Sequence, residues 1–175
     1  MAQKILAIGG EPATGKSTMV KRLIKQLLPL RTFSYGLIKG LYCPDRELYI
    51  PGIYDNSIFC GTDKLSMAAQ PDFIKLTNKI KGGNFLFEGD RLFNQSLFDA
   101  IKCDIYVLTA TQETLQKRHK TRKDAQSAKF LKAKKTKIKN IISKNQVTIM
   151  PNNTQTENEI CFRILAAELD RFPIK

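Results

Sequence analysis

Gly10-Glu11-Pro12-Ala13-Thr14-Gly15-Lys16-Ser17 is the stretch on which the fold turns, because it matches G-x-x-x-x-G-K-[ST] in full. Ahead of it, Lys4–Gly9 is a short apolar run ending in glycines, which predicts a buried strand. Behind it, Lys16–Leu28 sets Met19, Val20, Leu23, Ile24, Leu27 and Leu28 at helical spacing, and Pro29 ends the pattern. A strand, a glycine-rich turn and a helix in that order form a phosphate cradle. The glycines let the backbone curl without Cβ clashes, and the helix N-terminus turns its N–H groups toward an anion. In such a loop Lys16 is expected to reach the β- and γ-phosphates of ATP, and Ser17 to set its hydroxyl on Mg²⁺. Glu11, Pro12, Ala13, Thr14 and Thr18 complete the expected contact set. Glycine makes up roughly 7% of ordinary chains, so a chance match occurs about once per hundred chains of this length.

Outward from the loop, strands and helices alternate. Thr32–Asp55 is rich in aromatic and β-branched residues and broken at Gly36, Gly40, Pro44-Asp45 and Pro51-Gly52, which predicts a second strand and a hairpin. Leu65–Ile80 predicts a helix or a helix pair interrupted near Pro71. Gly82-Gly83 turns into an apolar strand, Asn84–Glu88, and Asp104–Thr109 predicts another. Thr111–Arg122 and Ala128–Ser143 are basic helices, Val147–Met150 a last short strand, and Thr154–Arg171 a closing amphipathic helix. The pattern predicts an α/β chain with a parallel sheet of about five strands, helices on both faces, and one domain over 1–175. An acceptor-side insertion is expected at about 40–80 and a basic lid at about 111–145.

Three further groups carry chemistry. Phe85-Leu86-Phe87-Glu88-Gly89-Asp90-Arg91 delivers acids from a buried strand to the edge that holds the glycine loop. There Glu88 suits Mg²⁺ or its water, Asp90 suits a proton acceptor, and Arg91 suits phosphate oxygens. Gly52–Asn56 and Gly61–Ser66 form a long polar connection on the expected acceptor side. Within it Tyr54, Asn56, Thr62, Asp63 and Lys64 are candidate substrate contacts, Asp55 and Asp63 are alternative bases, and Tyr54 and Phe59 are candidates for stacking on a nucleobase. Thr62-Asp63 also reads as an ordinary helix cap. Arg118 and Arg122, four apart, share a helix face; they follow the Asp104–Thr109 strand, where the P-loop kinases that the chain resembles on the motifs above carry a lid whose arginines close over the transferring phosphoryl. His119, between charged neighbours, reads as a solvated side chain.

Composition narrows the classes. The 175 residues are 42% hydrophobic and 26% charged, which excludes a disordered or collagen-like chain. No apolar run approaches the roughly 20 residues of a membrane span, and Met1–Lys4 with the short apolar stretch after it lacks the h-region and cleavage site of a signal peptide, so a cytoplasmic location is expected. Cys43, Cys60, Cys103 and Cys161 are scattered, with the spacing of neither a disulfide framework nor a zinc site. The net charge is +13, yet Lys117–Lys144 alone carries twelve Lys and Arg against the single acid Asp124, leaving about +2 elsewhere. A surplus confined to one segment points to a polyanion held in one place, although many lysine runs are plain solvated faces. Lys129, Lys132, Lys135 and Lys139 recur at three- and four-residue spacing, with Lys134 and Lys137 at their flank. Ile138, Ile141 and Ile142 are expected to anchor that helix.

On these motifs the chain resembles the P-loop nucleoside and nucleotide kinases over its whole length. Glu88-Gly89 followed by Arg91 is similar to the acid-Gly-x-Arg region by which such kinases meet metal and acceptor. One departure is that the second strand, around Phe33–Ile38, has no acid at its end, so the base stays open between Asp90 and Asp55. Gly61–Ser66, Phe87–Asn94 and Lys132–Asn140 are similar to phage-encoded kinases acting on 5-hydroxymethyluracil in DNA. That likeness implies an ATP- and Mg²⁺-dependent phosphotransfer to a base hydroxyl in DNA, within a host cytoplasm. Lys132, Lys135 and Lys139 are then expected on the DNA backbone. A kinase of free nucleosides or nucleotides, and a nucleic-acid-binding ATPase without transfer, are the alternatives.

Overall fold

The computed structural model describes residues 3–55, 57, 60–122 and 126–172. Its strands are β1 (Ile5–Gly10), β2 (Arg31–Tyr35), β3 (Ile38–Cys43), β4 (Leu48–Pro51), β5 (Asn84–Glu88), β6 (Asp104–Thr109) and β7 (Val147–Pro151). The α-helices are α1 (Lys16–Gln26), α2 (Ala69–Lys79), α3 (Gln95–Ala100), α4 (Gln112–Arg122), α5 (Ala128–Lys144) and α6 (Gln155–Asp170). Among the described residues, no helix is long and apolar enough to cross a membrane.

The strands form one sheet in the order β2-β3-β4-β5-β1-β6-β7. This corrects the expected five-stranded parallel sheet. The five strands from β4 to β7 are indeed mutually parallel, but β2 and β3 extend them and β3 runs against the rest. The reason is local. Gly36-Leu37 and the short turn Pro44–Arg46 are too brief for a crossover, so the strands they join must pair antiparallel. The stretch around Phe33–Ile38 is therefore an edge hairpin, and the place beside β5 falls to β4.

Alternation along the strands builds two cores. Leu6 and Ile8 of β1, Leu86 of β5, and Tyr106 and Leu108 of β6 face α1 and α6, where Val20, Leu23, Phe162 and Leu165 meet them. Ile5, Ala7, Phe85, Phe87, Ile105 and Val107 face the other way, onto Phe73 of α2, Leu97 of α3 and Ile138 and Ile141 of α5. Strands so covered on both sides read as continuous apolar runs, as β1 and β5 do.

Two elements differ from expectation. Residues 65–80 give a single helix: α2 starts at Ala69, so Pro71 sits in its first turn, where a missing N–H costs nothing. The short helix α3 lacks enough turns to show a period in sequence. Its signal is the cap, with the Asn94 side chain accepting the Leu97 N–H at 3.0 Å.

Candidate active site

After β1 the chain runs through β2, β3, β4 and β5 on one side and only then through β6 and β7 on the other, so the carboxyl edge of β1 is the switch point of the sheet. Open α/β sheets bind ligands in the crevice at that place. Here the Gly10–Ser17 loop leaves β1. Gly15 caps α1 in the left-handed region at φ 97°, and a Cβ on it would stand 2.7 Å from Asn152 Nδ2. No side chain caps α1 and no acid lies in its first turn, so its leading N–H groups are not taken by a side-chain cap. Lys16 Nζ donates to the carbonyls of Gly10 (3.0 Å) and Glu11 (2.9 Å). Burial lowers the Lys16 pKa, opposed by the charges of Glu88, Asp90 and Asp63.

Glu88 ends β5 facing the loop. It is 1% exposed, and its Oε1 has no hydrogen-bond partner. Burial pushes its pKa up to about 7, against the opposing pull of Lys16 and a hydrogen bond from Ser17. The turn Gly61–Lys64 holds this strand end. Thr62 Oγ1 donates to the Glu88 carbonyl (2.7 Å), and Asp63 Oδ1 accepts the Asp90 N–H (2.7 Å). Gly61, at φ 75°, lies so close that a Cβ on it would stand 1.9 Å from Glu88 Oε1. Thr62 is thus fully buried as a support for β5, out of reach of a substrate.

Asp90 is bound from above by α5. Lys134 donates to Oδ2, and Lys137 donates to Oδ1 at 3.2 Å. Burial alone would raise the Asp90 pKa, but these two lysines outweigh it and hold the group below its usual value. Arg91 Nε donates to the Leu65 carbonyl (3.3 Å). Lys16, Ser17, Asp63, Glu88, Asp90, Arg91, Arg122 and Lys134 line one cavity of about 340 Å³.

Other expected site residues lie elsewhere. Asp55 does not line the cavity. It pairs with Lys64 on the surface and accepts Ser57 N–H at 3.1 Å, and the Lys64 hydrogen bond holds its carboxyl well below the usual range. Tyr54 packs against the α1-side core, and burial and the Glu88 charge raise its pKa. Thr18 points outward on α1. Asn56 and Phe59 lie outside the described residues. The two lid arginines diverge. Arg122 reaches the cavity, whereas Arg118 donates to the carbonyls of Ala13 (3.3 Å) and Asn152 (2.7 Å), tying α4 to the loop and to the end of β7. His119 is half-buried, contrary to the solvated reading. All four cysteines are free thiols.

Three residues take roles that the sequence did not show. Asn152 is buried and donates Nδ2 to the Thr14 carbonyl (2.7 Å), bracing the loop from β7. Lys134 and Lys137 share the inward side of α5 with Ile138 and Ile141, at the i, i+3, i+4, i+7 spacing that marks a packed face. Lysines on that face were the available signal. Among the described residues, no group of three or more His, Cys, Asp or Glu could hold a metal ion. No protein-family model matches this sequence, and no curated protein matches it, so the chemistry of the site stands on its own groups.

Proposed function

We propose that the chain is an ATP- and Mg²⁺-dependent kinase that transfers the γ-phosphoryl group to a hydroxyl of a nucleic-acid component, the 5-hydroxymethyl group of 5-hydroxymethyluracil in DNA being the acceptor its motifs favour. One observation carries this reading. A glycine loop with Lys16 and Ser17 faces a buried acid, Glu88, and a second acid, Asp90, across a single cavity at the switch point of the sheet.

The residues fit a hard cation. Glu88 Oε1 is a buried carboxylate oxygen without a partner, and the Ser17 hydroxyl is its neighbour. Two protein oxygens, with phosphate and water oxygens filling the rest, make up the usual Mg²⁺ arrangement. When bound, Mg²⁺ supplies positive charge to phosphate oxygens.

The chain's own groups do the remainder. Backbone N–H groups of the loop and of the start of α1 hold the phosphates. Lys16 exchanges the carbonyls of Gly10 and Glu11 for phosphate oxygens. The acceptor oxygen forms its bond to Pγ as the bond from Pγ to the β,γ-bridging oxygen breaks. Asp90 accepts the acceptor's proton, and Arg91, Arg122 and Lys134 neutralise the charge that spreads over the transferring group. Positioning supplies most of the acceleration.

Incubation with γ-labelled ATP and Mg²⁺ tests the reading, with hydroxymethyluracil DNA, unmodified DNA and a nucleoside mixture as separate acceptors. Label in the modified polymer is the expected result, and it should vanish with Lys16→Ala. Label confined to nucleosides, or release of inorganic phosphate alone, would replace this function with a small-molecule kinase or an ATPase.

A further inference from the structure

The lysines of α5 do not form one stripe. Lys134 and Lys137 turn inward to Asp90, while Lys129, Lys132 and Lys144 are exposed and line a groove of about 600 Å³ on the adjoining flank. Thr136 and Asn140 lie between them, and Gln95 at the start of α3 forms the rim. Gln95 is fixed there by Asn145 Nδ2, which donates to its Oε1 at 2.8 Å, and by its own donation to Asp99 at 2.8 Å. No carboxylate lines the groove among the described residues, and α5 contains no acid. Lys137 belongs to both places: it lines the groove and also binds Asp90.

We propose that this groove seats the phosphate backbone of a nucleic-acid strand, and that Lys137 marks where the strand passes from the groove to the cavity at Asp90. Charge complementarity argues for this occupant. The groove offers lysines for phosphate oxygens and neutral amide and hydroxyl groups for sugar and phosphate, the mixture that fixes a strand without reading its bases. Length argues for it too. Lys129 to Lys144 cover roughly 22 Å of helix at 1.5 Å per residue, about six base pairs at 3.4 Å each, whereas a mononucleotide presents phosphate at one end only. Lys135 and Lys139 lie off this groove, so the contacts differ from those expected from sequence. The proposal deepens the kinase reading by giving its polymer acceptor a seat on the surface, and it rests on that reading for the use of the groove.

The test measures binding of labelled duplex DNA by anisotropy, without ATP, across a salt series. Lys129→Gln, Lys132→Gln and Lys144→Gln are combined in one chain. The comparison chain combines Lys25→Gln, Lys75→Gln and Lys102→Gln, exposed lysines elsewhere with the same loss of charge. Each phosphate contact adds roughly −0.9 to the log–log salt slope. The groove variant should therefore lose about two to three units of slope and bind about ten-fold or more weakly at 0.1 M salt, while the comparison chain follows the parent. Equal slopes in the two variants, or a groove that captures an acidic peptide in preference to DNA, would overturn the proposal. DNA binding through the groove without phosphoryl transfer would uphold this surface and end the kinase reading. Labelling of DNA with an unchanged slope in the groove variant would do the reverse.

Discussion

Glu88 and Asp90 sit two residues apart on one strand end, and the structure sends their pKa values in opposite directions. Burial raises Glu88 to about 7, so the metal-free fold favours its protonated form. The sign follows: that contribution is complete below about pH 4.5, where the unfolded group is also protonated, and is lost as pH rises through 7. Raising this pKa from 4.5 to about 7 corresponds to about 3 kcal/mol. Without Mg²⁺ the parent should therefore lose on the order of 5–10 °C in Tm between pH 5 and 8. Glu88→Gln should be nearly flat over that range, and a variant that tracks the parent would remove Glu88 as the titrating group. Asp90 is held as an anion by Lys134 and Lys137, close to where an acceptor hydroxyl would enter. Asp90→Asn should lower the rate by on the order of 10²–10⁴ with ATP affinity little changed. If Asp55→Asn does this while Asp90→Asn is mild, the surface acid is the base. The sequence left these two open because a carboxylate's partners come from distant elements. Lys134 lies forty-four residues beyond Asp90, and Lys64 lies nine beyond Asp55.

The turn Gly61–Lys64 shows how one short element sets the geometry of another. It holds β5 through Thr62 and Asp63 and leaves just enough space beside Glu88 for a residue without Cβ. Gly61→Ala combines a left-handed φ of 75° with a Cβ placed 1.9 Å from a carboxylate oxygen. It should cost about 2 kcal/mol or more, read as a lower denaturant midpoint at unchanged m-value. Mg²⁺-dependent turnover should fall with it, since the displaced atom is Glu88 Oε1. A stable, fully active Gly61→Ala chain would show that the turn is only a connection. In sequence this segment was visible as polar and glycine-punctuated, which suggested substrate contact. Its support of β5 was hidden because pairing between a loop and a strand end leaves no period. The edge position of the β2-β3 hairpin was hidden for a similar reason: alternation identifies a strand but not its neighbours.

Across the whole molecule, the cavity draws on the 10–17 loop, on Asp63, on Glu88, Asp90 and Arg91, and on Arg122 and Lys134, while Arg118 of α4 and Asn152 just past β7 brace its loop. The glycine loop and the apolar strands were legible because each is a local pattern, and so were the two covered faces of the sheet. The meeting of loop, acids and inward lysines was not, because the crossovers bring together segments more than a hundred residues apart. That dispersion has a thermodynamic consequence. A ligand that joins these segments only in the folded chain stabilises the whole of it by RT ln(1 + [L]/Kd), about 2.7 kcal/mol at a hundred times Kd. For a chain of this size that corresponds to roughly 5–10 °C in Tm. A non-hydrolysable ATP analogue with Mg²⁺ should produce that rise in the parent. Lys16→Ala should still fold cooperatively, because the hydrogen bonds of Lys16 among the described residues run to carbonyls of its own loop, and should lose most of the ligand-induced rise. Arg118→Ala removes the tie between α4, Ala13 and Asn152, so the loop should form the same contacts at a greater ordering cost. Its rise should be intermediate at equal analogue concentration and recover as the concentration is raised. A parent whose Tm does not respond to the nucleotide at all would leave the glycine loop as a structural turn and take the kinase reading with it.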